Sequence, residues 1–339
     1  MKNKQMKKME MKEMKIKMEI EMRKTMKSKL FRAAIMSCFL IMFGCSNDPT
    51  EDLNLQTEEK MQMTMTMETS PPTTRAKYDD TGSQMLFSWN MGDETSVVVN
   101  GVPGNENTRL TAKADGKNAD FGGTVIPWEG RKTVYSFYPY SQRGYTVFGG
   151  DNKETATASL TLPNPQSYVV GGPVKNSFLV GVGTATVNGT SIAASTSMKQ
   201  VMTIIRLNIT NASKRVIGVR IRTAQPLLPT TATVKMSDAT ISNPGSRVNI
   251  LAMNVTDLTT SPTKQISFAM FPINLTGVTV RVEVIFADGS SLWLDKPGTY
   301  FSRNKSSVMN FDVARILNNI QWNNLNNYLF YLNGEEYDD

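Results

Sequence analysis

The 339-residue chain contains no histidine. That absence excludes Ser-His-Asp and Cys-His catalysis and any histidine-ligated metal site. Cysteine is almost as scarce: Cys38 and Cys45 are the only two, and both lie at the start of the chain. Residues 46–339 therefore hold no disulfide, thiol nucleophile or thiolate metal site. Nucleotide-binding motifs are missing too. The run SFLVGVGTATVNG (177–189) has glycines, but no GxGxxG leading from a strand into a helix, and it reads as a strand. Asp and Asn in the loops 115–120 and 288–295 lack EF-hand spacing. The expectation is a protein that is not an enzyme and takes no cofactor and no metal.

A basic body is also lacking. The chain has 37 Lys+Arg and 30 Asp+Glu, a net charge of +7. Residues 1–32 hold 12 of the basic residues and 4 of the acidic ones, leaving 25 basic and 26 acidic residues after them. The body thus has no overall bias toward nucleic acid or an anionic membrane, and no nucleic-acid partner is expected. Hydrophobic residues make up 40%, enough for real cores and too many for a disordered chain.

Lys27, Lys29 and Arg32 precede an apolar run, 33–43, that is too short for a permanent membrane helix of about twenty residues. The run ends Met42-Phe43-Gly44-Cys45, which resembles a lipobox with Met42 and Phe43 departing from the usual pattern. Cys45 is the expected lipid site; a plain secretory signal or an uncleaved anchor remain open. Residues 1–25 are Met/Lys/Glu repeats, so the true start is expected at Met26, the alternative being a genuine charged extension. The acidic, polar stretch after Cys45 reads as a solvated tether.

From residue 84 onward the pattern has period two, the mark of strands. In 278–286, VTVRVEVIF, the residues Val278, Val280, Val282, Val284 and Phe286 share one face, and Asp288-Gly289 then turns the chain into Leu292-Trp293-Leu294. Strands are expected at 84–89, 95–99, 133–138, 156–162, 177–187, 201–210, 216–223, 231–236, 246–254 and 266–271. Turn signals include Asn100-Gly101, Asn188-Gly189 and Asn243-Pro244-Gly245. Helix signals are scarce outside 1–30 and 313–326. The expected fold is all-β, two tandem β-sandwiches with Greek-key-type connections. Small polar residues in 188–200 suggest a linker, giving a leader at 1–45, a tether and removable strand at 46–75, and sandwiches at 76–195 and 196–339.

The two ends carry the functional hypothesis. In MQMTMTM, Met61, Met63, Met65 and Met67 alternate with polar residues, so as a strand they share one face. Prolines follow, then Arg75-Ala76 in a polar stretch suited to a trypsin-like protease that cleaves after an extended arginine. Near the C-terminus Tyr328, Phe330 and Leu332 alternate, with Leu329 and Tyr331 on the other face; so apolar a strand must pair at home or with another molecule. Together the ends suggest one exchange. Cleavage at Arg75/Ala76 frees the methionine strand, and a neighbour's terminal strand fills the groove head-to-tail, building a filament. The plainer readings are a compositional accident at 61–67, one surface arginine among many, and a tail packed at home.

Several motifs carry a resemblance: Thr74-Arg75-Ala76, FSWNMGD (87–93), VYSFYPY (134–140), LPNPQS (162–167), FAMFP (268–272), IFADGS (285–290) and GTYFSRNKS (298–306). In this order the chain resembles the fimbrillins of Bacteroidales, the type V pilin superfamily. The acidic stretch after Cys45 likewise resembles the surface-export signals of Bacteroidales lipoproteins. The resemblance implies two transthyretin-like β-sandwiches and an outer-membrane lipoprotein precursor acylated at Cys45. It implies arginine-specific maturation at Arg75 and donor-strand polymerisation into an extracellular fimbrium, with other pilin subunits as partners. The competing reading is a non-polymerising surface lipoprotein that binds glycan or host protein through exposed Trp and Tyr. Trp89, Trp128, Trp293 and Trp322 fit core or interface anchors better than a sugar platform.

Overall fold

The computed structural model describes residues 60–69, 88–171 and 174–318. The first strands are β1 (Met61–Thr69), β2 (Glu94–Val99), β3 (Thr108–Ala112), β4 (Asn118–Val125), β5 (Arg131–Tyr138), β6 (Val147–Phe148), β7 (Thr157–Thr161) and β8 (Gln166–Val169). Next come β9 (Leu179–Asn188), β10 (Ser191–Gln200), β11 (Thr203–Thr210), β12 (Val216–Arg222), β13 (Leu228–Pro229), β14 (Thr231–Lys235), β15 (Ile241–Pro244) and β16 (Arg247–Val248). The last are β17 (Ile250–Thr256), β18 (Lys264–Met270), β19 (Ile273–Asn274), β20 (Thr279–Phe286), β21 (Ser291–Pro297), β22 (Tyr300–Phe301) and β23 (Ser306–Asp312), followed by a short helix, α1, over 313–318. The fold is all-β.

Seven strands close into a barrel in the order β1-β10-β9-β5-β2-β3-β4. The remaining sheets are β18-β11-β23, β21-β20-β12-β17-β8 and β15-β14-β7-β6, with two small pairs, β13-β16 and β19-β22. Among the described residues there are two hydrophobic clusters. One fills the barrel and includes Met63, Met65, Met67, Trp89, Leu110, Phe121 and Ile192. The other lies among the remaining sheets and also takes Tyr135, Phe137 and Val180 from the outward faces of β5 and β9. Period-two alternation explains the division: on β5, Val134 and Tyr138 point into the barrel while Tyr135 and Phe137 point away from it.

Several expectations need correction. Residues 188–200 are not a linker. They end β9 and form β10, which pairs with β9 on one side and β1 on the other. Their small side chains suit tight packing: a Cβ at Gly183 would lie only 2.1 Å from the Ser195 carbonyl oxygen. The first body is a closed barrel rather than an open sandwich, because β1 has a partner on both edges. Hydrogen bonding also runs across the expected boundary at 195/196, since β7 pairs with β14 and β8 with β17. Asn243-Pro244 belongs to strand β15, an edge strand where proline is tolerated. Stretch 246–254 is broken between β16 and β17. Of the expected strand 84–89 only 88–89 is described, and there Trp89 forms an isolated bridge to Gly116. Helix is described over 313–318 only.

Candidate strand-exchange site

β1 is paired along both of its edges. It runs parallel to β10, with Gln62 opposite Ser191 and Thr69 opposite Met198. It runs antiparallel to β4, with Met61 opposite Val125 and Glu68 opposite Asn118. Its inward residues Met63, Met65 and Met67 are fully buried, Met61 is half-buried, and Gln62, Thr64, Thr66 and Glu68 face solvent. Full burial of one such side chain contributes about 1.5–3 kcal/mol. The neighbours are fitted to long, flexible side chains: Met63 lies between Ile192 and Gly123, Met65 between Ala194 and Phe121, and Met67 between Thr196 and Ala119.

Polar contacts hold the strand in register. The Trp89 indole N–H donates to the Met67 carbonyl at 3.1 Å. The Ser136 hydroxyl, buried across the barrel, donates to the Met65 sulfur at 3.7 Å. At the strand's end the Thr69 N–H donates to the Lys117 carbonyl at 3.3 Å. On the outer face the Thr66 hydroxyl donates to Asp120 at 2.7 Å. The Thr196 hydroxyl, beside Met67, is buried without a hydrogen-bond partner among the described residues.

The WNMGD part of the FSWNMGD motif is the turn that delivers Trp89. Trp89 and Gly116 exchange main-chain hydrogen bonds of 2.7 and 3.0 Å. Asp93 accepts the Asn90 N–H at 2.8 Å, and Gly92 takes a φ of +87°, a region that favours glycine. The ring then meets Phe121 and Tyr138 edge-on, at centroid distances of 4.8 and 5.5 Å. Two other motifs are also structural. Gln166 of LPNPQS bonds both main-chain groups of Ala269 in FAMFP, at 2.7 and 3.3 Å. Arg303 of GTYFSRNKS donates to the Gln200 carbonyl at the end of β10, at 3.1 Å.

The chain leaves β1 at Thr69, and Arg75 and Ala76 fall in the next stretch, outside the described residues. Cys45, Trp322 and the terminal residues Tyr328, Phe330 and Leu332 also lie outside them. Trp89 is fully buried, as expected of a core residue, and Trp128 packs against the barrel core. Trp293 is half exposed, with the Arg281 guanidinium 5.5 Å from its ring centre. Sequence reasoning missed β3 and β4, and with β4 one wall of the groove. The alternation Ala119, Phe121, Val125 is present, but Gly122 and Gly123 mask it. Gly123 is required there, since a Cβ would meet the Arg109 carbonyl oxygen and Leu110 at 2.6 Å. Among the described residues no three His, Cys, Asp or Glu side chains are grouped to hold a metal, and no helix is long and apolar enough to cross a membrane.

The described architecture is an all-β protein whose barrel is completed by its own N-terminal strand. No protein-family model matches the chain, and no curated protein matches it. Solved structures similar to it are cell-adhesion candidates and fimbrial proteins of Bacteroides and Parabacteroides. A candidate cell adhesion protein from Bacteroides fragilis is 7% identical with a TM-score of 0.49, over 75% of this chain and 93% of that one. One from Bacteroides ovatus is 15% identical with a TM-score of 0.44, over 75% and 92%. A fimbrial assembly protein from Parabacteroides distasonis is 10% identical with a TM-score of 0.36, over 74% and 91%. Likeness at this level assigns no role to any residue.

Proposed function

We propose that the chain is a structural fimbrial subunit that supports adhesion and polymerises by donor-strand exchange. It is exported as a lipoprotein acylated at Cys45, held at the outer membrane, and matured by a trypsin-like protease that cuts between Arg75 and Ala76. It has no catalytic role, and the barrel and the second core correspond to the two transthyretin-like units. One observation carries the reading: β1 closes the barrel with three fully buried methionines, and the chain then runs directly into the stretch that holds Arg75. Loss of β1 leaves six strands with two unpaired edges, β10 and β4, and an apolar groove between them. A strand with apolar residues at alternate positions restores both ladders, and residues Tyr328, Phe330 and Leu332 of a neighbouring subunit have that spacing. Donor and groove are different surfaces, so the contact propagates as a filament.

The test is limited trypsin digestion of protein lacking the leader. The expected product begins at Ala76, loses β1 and forms SDS-resistant multimers. Clean cleavage after Arg75 that leaves monomers overturns the reading. The half-exposed Trp293 beside Arg281 supports a second reading, a monomeric lipoprotein that binds glycan or host protein. Saccharide binding by the uncleaved monomer would favour it.

A further inference from the structure

The five-stranded sheet β21-β20-β12-β17-β8 buries one face in the second core and turns the other to solvent. Its registers align Asp295, Arg281 and Arg222 in one row across the outer face, and Trp293, Glu283 and Arg220 in the next. Trp293 is half exposed, unlike the buried Trp89. Its ring is held in place from the side. Arg281 donates through Nε and Nη2 to the two Asp295 carboxylate oxygens, at 2.7 and 2.8 Å. So fixed, the guanidinium lies 5.5 Å from the Trp293 ring centre. The result is a flat apolar surface with a donor and an acceptor at its rim.

The charges beside it are not balanced. Arg222 lies directly opposite Arg281, an arrangement of like charges that costs stability. Arg220 and Arg222 both reach the same Glu283 oxygen, at 3.3 and 3.2 Å. Their side chains are 40% and 39% exposed and that of Glu283 only 14%, so solvent meets the cations first. Three guanidinium groups stand here against two carboxylates. Next to Arg220 the strand bulges at Ile217, and Gly218 floors a groove of about 480 Å³ walled by Ile217, Ile250, Ala252 and Ile285. That volume falls in the range of about 300–1,000 Å³ usual for small-molecule sites.

We propose that this face binds a carboxylate-bearing oligosaccharide. One pyranose ring lays its C–H face on Trp293, and its hydroxyls meet Arg281 and Asp295 at the rim. The carboxylate sits on the outward N–H groups of Arg220 and Arg222, whose planar forks match it. A further ring enters the groove over Gly218. Trp293 and Gly218 are two strands apart, about 10 Å at roughly 4.8 Å per strand, so the ligand spans more than one sugar. Three facts select this occupant. The open indole face suits a ring that is apolar on its face and polar at its edge. The surplus of accessible guanidinium asks for an anion. Glu283 and Asp295, interleaved with the arginines, repel a uniformly anionic chain and favour widely spaced charges. The inference rests on the glycan-binding reading of Trp293 and names its ligand class; the face lies apart from β1 and its walls, so a polymerising subunit keeps it.

The experiment is calorimetric titration of the uncleaved chain without its leader, using hyaluronan tetrasaccharide, the neutral N-acetylchitotetraose and polyglutamate as probes. Hyaluronan tetrasaccharide is expected to bind at least tenfold more tightly than either comparator, and to weaken as salt rises. Trp293→Ala and Arg222→Gln are each expected to weaken it at least tenfold. Both side chains are partly exposed, and Arg220 still holds Glu283 in the second variant. Arg247→Gln, on β16, is the control for charge alone and is expected to bind like the parent chain. Equal binding of the neutral tetrasaccharide overturns the inference and leaves the plainer glycan reading standing. Equal binding of polyglutamate, or equal weakening by Arg247→Gln, overturns it in favour of unspecific charge. Unchanged affinity in Trp293→Ala or in Arg222→Gln overturns it as well. Absence of binding to every saccharide overturns both the inference and the glycan reading, and leaves the polymerisation test untouched.

Discussion

The Trp89 indole N–H and the Met67 carbonyl oxygen are 3.1 Å apart, a single hydrogen bond from the barrel wall to the main chain of its closing strand. It reads backbone rather than side chain, so any strand in the same register satisfies it. Trp89→Phe keeps much of the packing but removes that hydrogen bond, while the carbonyl keeps its place in the ladder with β4. The expected loss is about 0.5–1.5 kcal/mol in chemical denaturation of the uncleaved protein. After cleavage, β1 should dissociate faster from the variant than from the parent protein.

The two faces of β1 should respond in opposite ways to substitution. Met65→Ala removes a fully buried side chain and should destabilise by about 2–5 kcal/mol. Thr64→Ala, one residue away on the exposed face, should stay within about 0.5 kcal/mol of the parent. Equal effects in urea titrations would contradict the burial pattern.

Thr196→Val should strengthen the resident strand. The substitution is nearly isosteric and removes a buried hydroxyl without a partner. A gain of about 1 kcal/mol is expected, with slower release of β1 after cleavage. A loss of stability would mean that the hydroxyl has a role the static structure does not show.

Arg75→Ala should leave the precursor uncut at that position in cells and confined to the membrane fraction. N-terminal sequencing of shed protein checks this. An N-terminus at Ala76 in the variant would place the cut outside arginine specificity.

A buried ion pair sets an acid limit. Lys264 and Asp257 meet at 2.7 Å with side chains 2% and 0% exposed. Burial pushes the Asp257 carboxyl up, but the Lys264 ammonium, the Val216 N–H and Thr259 outweigh it and hold the group down at about 2. The folded value lies below the unfolded one of about 3.9. The stabilisation is therefore complete above the unfolded value and disappears as pH falls through the folded value. Urea midpoints of the parent protein should drop more steeply than those of Asp257→Asn between about pH 4 and 2. Lys264→Met leaves the buried carboxylate without its counter-charge and should destabilise at neutral pH by about 3–5 kcal/mol.

What could be read in the sequence follows from side-chain size. The methionine strand was legible because long apolar and polar residues alternate strictly, and the same holds for β20, where Val280, Val282, Val284 and Phe286 are buried. On the other face of β20, Glu283 meets Arg220 and Arg222, at 3.3 and 3.2 Å, a pairing that periodicity does not reveal. Both neighbours of β1 escaped notice for one reason. Opposite the buried methionines, β4 and β10 present Gly123, Ala119, Ala194 and Thr196, with Phe121 and Ile192 as the large exceptions, and small residues leave a weak periodic signal. The role of Trp89 was illegible because it acts from an isolated bridge, a position no periodicity marks. The candidate site was thus visible as a strand without its walls.

The order of features along the chain has a last consequence. Cys45 precedes β1 and Arg75 follows it, so under the proposed function the acyl anchor and the strand that closes the barrel belong to one fragment. Under the proposed maturation a single scission severs the subunit from the bilayer and makes its plug exchangeable in the same event. Departure and readiness are thereby synchronised, without a separate signal for either.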